Sequence, residues 1–230
     1  MGRTLLHTVI SLVLLLQGAF AGDKLFVFYP TPARPQTIQK ELARSCPDFE
    51  VTVFGRYKDF VLRIKRESPA AIIAHPLIVD SCRGYRTEKK GLYAKKTNES
   101  FVLVSLGNPV NTDSLRALTI GVIDFLGRNG MQSFVTQFFS NQPRIKRVTK
   151  LEDLLPLLSF NMVNAILVQE RFVVYLKSIS KRQFSVVALP ESQTGILSIA
   201  TRKSTILDQA CKAFGENKKL NTMLGVDSWQ

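Results

Sequence analysis

Histidine is almost missing from this chain. Only His7 and His75 occur in 230 residues, and His7 lies in an apolar N-terminal segment. One imidazole in the rest of the molecule excludes most hydrolytic and metal chemistry, and no H-E-x-x-H, G-x-S-x-G, P-loop or G-x-G-x-x-G pattern takes its place. Cysteine is scarce as well. Cys46, Cys82 and Cys211 stand far apart with no C-x-x-C pair, so a disulfide scaffold is excluded. In an oxidising compartment one pair can form and leave a thiol over, or all three can be buried thiols; the spacing does not choose. A nucleophilic Cys82 served by His75 would need a contact that seven residues of loop and helix do not assure, so a structural Cys82 is the simpler reading. Acids are outnumbered, 18 against 31 Lys plus Arg. After residue 21, no apolar run is long enough to span a membrane.

The first 21 residues read as a secretory leader. Arg3 supplies the positive start, Val9 to Leu16 the apolar run, and Ala19, Phe20, Ala21 an A-x-A cleavage site before Gly22. Export to the periplasm is expected. Removing Arg3 leaves 30 basic residues against 18 acids, a net charge of +12. Such a charge suits an anionic surface or ligand. Nucleic acid is not an expected partner, since the basic residues are dispersed and lack any RNA-binding or zinc-finger pattern.

From Lys24 onward strands alternate with helices. Leu25 to Tyr29, Phe49 to Phe54 and Ala70 to Ala74 read as strands. Arg34 to Ser45, the stretch after Gly55 and Leu77 to Cys82 read as helices, with Tyr57, Phe60, Val61 and Ile64 on one face. Three βα units in succession imply a parallel sheet with right-handed crossovers. Gly91 to Lys96 and Phe101 to Ser105 read as strands about a turn at Thr97 to Ser100. A second βα series follows a linker at Gly107 to Pro109, and a second linker is expected at Pro190 to Gln193. A closing helix is expected over Ser204 to Phe214.

The stretch Leu118 to Phe139 carries the most information: a buried strand, a Gly-rich turn and an amphipathic helix in direct succession. Asn129 reads as N-cap with Gln132 three residues on, which starts the helix near Gly130. Free N–H groups at that start, two glycines permitting close approach and Arg128 as a second donor make Gly127, Arg128, Asn129 and Gly130 a candidate anion site. Arg128 paired with Asp124 is the alternative.

This order of elements resembles the type II periplasmic solute-binding proteins, most closely their phosphate and phosphonate branch. The resemblance runs from Lys24 to Phe214 through YPTPARPQTIQKEL, FGRYKDFVLRIKRESPAAIIAHP and GILSIATRKSTILDQACKAF. It implies an α/β fold of two lobes, each a mostly parallel sheet flanked by helices, joined by two crossing hinge strands. One lobe would be 22–104 with 190–230, the other 105–189. It also implies a non-catalytic, cofactor-free protein that binds a small anionic ligand in the cleft for an ABC permease. The alternatives are a ligand-sensing subunit for a membrane kinase or cyclase, or an interaction module with a degenerate pocket. Strand ends would line the cleft: Tyr29 and Thr31, Tyr57, His75, Gly127 to Gly130, Gln169 and Glu170. Each has a plainer reading. Tyr57 fits a helix core face, His75 an ordered loop, and Glu170 an exposed acid in a first helical turn. The chain departs from the phosphonate pattern in having Arg and Asn in place of hydroxyl donors at 127–130, and from the amino-acid binders in lacking a recognisable acid and arginine pair.

Overall fold

The computed structural model describes residues 22–111, 118–139, 142–202 and 214–230. The expected leader, Cys211 and residues 204–213 of the expected closing helix lie outside the described residues. In chain order the first part forms β1 (Asp23–Phe28), α1 (Pro35–Ser45), β2 (Phe49–Val53), α2 (Tyr57–Glu67), β3 (Ala71–Ala74), α3 (Pro76–Ser81) and β4 (Arg86–Leu92). The second part forms β5 (Asn98–Leu106), β6 (Thr119–Ile123), α4 (Gly127–Thr136), β7 (Arg144–Val148), α5 (Leu154–Ser159), β8 (Ala165–Gln169), α6 (Phe172–Ile179) and β9 (Phe184–Gly195). The chain then returns with β10 (Ser198–Thr201), α7 (Lys218–Met223) and β11 (Ser228–Trp229).

Local chemistry explains these bounds. α1 opens with Pro35 in its first turn, where a missing N–H is harmless, and buries Ile38 and Leu42 one turn apart. α2 buries Phe60 and Ile64 and stops at Ser68, which is left-handed at φ 44°, with Pro69 beyond it. β3 and β8 are buried along their whole length, as strands covered on both faces must be.

The strands make two sheets, ordered β11-β4-β10-β3-β1-β2 and β7-β6-β8-β5-β9. Each has a parallel core, β3-β1-β2 and β7-β6-β8. The other pairings are antiparallel. The sheets are therefore mixed, where the sequence pattern predicts mostly parallel ones. The strands β5 and β10 cause the difference, because each runs against the parallel core strand beside it, β8 and β3 respectively.

β5 and β9 carry the chain between the lobes and pair with each other from Asn98 opposite Gly195 to Leu106 opposite Phe184, with a register shift between Glu99 and Phe101. Ser192 pins that irregularity: its Oγ accepts from the Phe101 N–H at 2.9 Å and donates to the Phe101 carbonyl at 3.0 Å. The expected boundaries near 104 and 190 both fall inside these two strands, so Pro190 to Gln193 is strand and not linker. The expected turn at Thr97 to Ser100 is also displaced. The chain reverses at Tyr93 to Lys96, with Ala94 and Lys95 at φ 49° and 64°.

Candidate functional site

The two lobes meet through one continuous hydrophobic cluster. Phe26, Phe28 and Phe60 of the first lobe belong to it together with Phe125, Met131 and Phe134 of the second. Phe101, on the crossing strand β5, lies 5.2 Å from Phe134, edge to face, and Phe125 meets Phe134 at the same separation. Where the strand ends converge, these side chains leave a cavity of only about 20 Å³, bounded by Tyr29, His75, Phe101, Phe125, Met131 and Gln169 among others. That is room for about one water.

The expected site residues divide at this cavity. Tyr29, His75 and Gln169 do converge there. The Tyr29 hydroxyl donates to Gln169 Oε1 at 3.4 Å, and both residues are buried. His75 is 1% exposed and caps α3: its Nδ1 accepts from the Leu77 N–H at 3.3 Å, so Nε2 carries the proton toward Thr194 Oγ1, also at 3.3 Å. Burial pushes the imidazole down to about 3, so it is neutral at physiological pH, and the Phe125 ring of the opposite lobe lies 4.9 Å away.

The other expected residues sit outside the cavity. Thr31 serves a local turn, its Oγ1 accepting from the Ala33 N–H at 2.9 Å. Tyr57 is half-buried and reaches across to the second lobe, where it covers Gly127: a Cβ on that glycine would stand 3.0 Å from the tyrosine ring. Burial raises the phenol's pKa, with smaller contributions from Cys82 and Asp124.

The helix at the Gly-rich turn starts earlier than its sequence predicts. Leu126 is the N-cap of α4, Gly127 is left-handed at φ 72° in the first helical position, and Asn129 is an exposed helical residue that caps nothing. A glycine able to take positive φ lets the helix begin at once, which removes the need for an Asn cap. Gln132 donates to Thr136 Oγ1 one turn on, at 3.4 Å, and does not close a capping box. Gly130 stays close to Leu126, where a Cβ would meet that side chain at 2.7 Å. Arg128 is exposed, and Asp124 pairs at 2.5 Å with Arg147, not with Arg128. Glu170 precedes the N-cap of α6 and so lies outside its first turn; its N–H donates to the Ser100 carbonyl at 3.0 Å.

Two charged residues that sequence reasoning passed over sit deeper. Arg171, the N-cap of α6, has a side chain 5% exposed and stands 2.9 Å from Glu99 on β5, whose side chain is 7% exposed. The guanidinium also donates to the Tyr29 hydroxyl and to the Gly225 carbonyl, both in the first lobe. Its carbon lies over the rings of Tyr29, Tyr93 and Phe172 at 5.5, 5.6 and 4.9 Å. Burial moves both partners toward neutrality, Glu99 up to about 8 and Arg171 down to about 10, with Asp227 opposing the second shift. The two are at ion-pair distance without hydrogen-bond alignment, and Glu99 Oε1 has no hydrogen-bond partner among the described residues. One signal was available in the sequence: an arginine opening a helix opposes the helix dipole and needs a reason.

Of the cysteines, Cys46 is buried as the C-cap of α1, and the half-buried Cys82 thiol is pushed up by burial, against a weaker lowering by Ser81. Among the described residues, no cluster of His, Cys, Asp and Glu is arranged to hold a metal, and no helix is long and apolar enough to cross a membrane.

No protein-family model matches the sequence, and no curated protein matches it. Solved structures do match. A double mutant of the Bordetella pertussis BvgS VFT2 domain is 13% identical, with a TM-score of 0.58 over 88% of this chain and 91% of that one. The amino acid ABC transporter substrate-binding protein AbpA from Streptococcus pneumoniae, bound to L-arginine, is 10% identical with a TM-score of 0.58, covering 89% and 93%. The GluR0 ligand-binding core from Nostoc punctiforme, in complex with L-glutamate, is 10% identical with a TM-score of 0.59, covering 88% and 95%. At these identities the likeness establishes the fold, two α/β lobes of the type II periplasmic binding-protein architecture. The expected phosphate and phosphonate branch gains no support from these structures.

Proposed function

We propose that this chain is an exported, non-catalytic receptor module of the binding-protein fold that rests with its lobes closed on their own side chains and answers to a partner protein. A membrane-bound sensor is the partner that suits a two-lobed module already closed at rest. The cavity of about 20 Å³ carries the reading, because sites for small molecules commonly measure about 300 to 1,000 Å³. An amino acid or a phosphonate has no room there. The neutral His75 and the amide of Gln169 offer such a solute no charge, and Glu99 and Arg171 already face each other.

Capture of a small solute for an ABC importer is the second reading. It is favoured by the grouping of Tyr29, His75 and Gln169 on one cavity, which gives an opened cleft three polar contacts. A thermal titration separates the two. At about a hundred times its dissociation constant a cleft ligand stabilises the protein by about 2.7 kcal/mol, a rise of several degrees. Arginine, glutamate, phosphate, methylphosphonate and short carboxylates at millimolar concentration should leave the melting temperature unchanged. A saturable rise with any of them, abolished by Gln169→Ala, overturns the closed-receptor reading in favour of solute capture.

A further inference from the structure

The mouth of the cleft carries an exposed cation on each wall. A groove of about 530 Å³ there is built from Phe28 to Gln36 and Phe54 to Arg56 of the first lobe and Thr149 to Glu152 of the second. It presents three exposed cations, Arg34, Arg56 and Lys150, against a single carboxylate, Glu152. Among the described residues these three enter no ion pair, side-chain hydrogen bond or ring contact, unlike Arg63, Arg147 and Arg171. Two of them also stand where a positive charge is unfavourable. Arg34 is the N-cap of α1 and Arg56 the N-cap of α2, neither side chain caps its helix, and α1 has no acid in its first turn. Negative charge in the groove would offset both placements and meet Lys150 on the far wall.

The shape narrows the class of occupant. The groove is concave, whereas a lipid surface is read by a flat or convex basic face. Its cations stand on three separate segments of the two lobes, so that an extended row of carboxylates can meet each in turn. Its lining also includes Pro30, Pro32 and Pro35, apolar residues that flank Arg34 in sequence. We propose that this groove docks an extended acidic segment of a partner protein, with carboxylates meeting Arg34 and Arg56 on one lobe and Lys150 on the other. The proposal deepens the receptor reading above and rests on it for the closed shape that brings the two walls together.

Fluorescence anisotropy with labelled hexaglutamate, on the whole mature chain at low salt, tests it. Arg34→Glu with Arg56→Glu, and separately Lys150→Glu, should each weaken binding roughly tenfold or more. Lys95→Glu with Lys96→Glu is the control. It changes the net charge by the same amount as the first pair, in a separate groove of about 760 Å³ beside the crossing strands, and should weaken binding far less. All these residues are exposed, so folding should persist. Equal losses in the control and the groove variants would reduce the effect to general charge and overturn the proposal. So would retention of hexaglutamate binding by the groove variants, or binding of phosphatidylglycerol vesicles or inorganic phosphate that those variants abolish while hexaglutamate does not bind. A solute found to open the cleft would defeat the closed-receptor reading without changing the hexaglutamate comparison.

Discussion

Replacing Arg171 by methionine should let the lobes part while each stays folded. The guanidinium bridges the second lobe to Tyr29 and Gly225 of the first, and it faces Glu99 on a crossing strand. Hydrogen bonds from a charged donor contribute about 1.5 to 3 kcal/mol each, so losing the two that cross the cleft shifts the balance by about 3 to 6 kcal/mol toward the open form. Methionine fills part of the vacated volume without supplying a donor. Glu99, left without its cation, stays neutral at neutral pH, since burial already holds its carboxyl near 8. Amide hydrogen exchange reads the result. The Leu77 N–H, bonded to the His75 ring that packs on Phe125 of the opposite lobe, should exchange about a hundred-fold or more faster. Amides in the β1–β3 ladder should stay protected, which separates opening from unfolding. Unchanged protection at Leu77 in a folded Arg171→Met protein would show that Arg171 does not hold the lobes together.

Stability should be highest between about pH 4.5 and 6.5 and fall on both sides. His75 is lowered from 6.5 to about 3, so its contribution is complete above pH 6.5 and is lost as pH falls toward 3, by up to about 5 kcal/mol. Glu99 is raised from 4.5 to about 8, so its contribution is complete below pH 4.5 and is lost as pH rises through 8. Melting curves of His75→Asn, which keeps an acceptor for Leu77, should lose the acid limb, and those of Glu99→Gln the alkaline limb; a wild-type profile in either variant would place the titration elsewhere. Gly127→Ala should cost about 1 to 2 kcal/mol, because alanine is strained at φ 72° and its methyl meets the Tyr57 ring. Equal melting temperatures would mean that the turn relaxes freely. Arg128→Ala, at an exposed position, should change stability by less than about 0.5 kcal/mol in guanidinium titrations.

The order of strands and helices was legible because it rests on local periodicity, as with Phe60 and Ile64 on α2 or the apolar run of β8. Pro190 misled as a linker signal. β9 lies at the edge of its sheet, where a residue without an N–H is tolerated inside a strand. The reversal at Tyr93 to Lys96 was hidden because Ala94 and Lys95 hold the positive φ values that usually mark glycine or asparagine. At the candidate site, the strand ends located Tyr29, His75 and Gln169. What fills the cleft was not legible, because Phe101, Phe125 and Phe134 look in sequence like any core phenylalanines. Glu99 and Arg171 are 72 positions apart and are brought together only by the pairing of β5 with β8.

Small-angle X-ray scattering of the protein, unfolded and refolded to strip any carried solute, tests the closed cleft most directly. The curve should match the closed lobes without any addition and should not change when amino acids, phosphate or phosphonates are added. A more extended curve that contracts on adding one of these solutes would contradict the closed cleft.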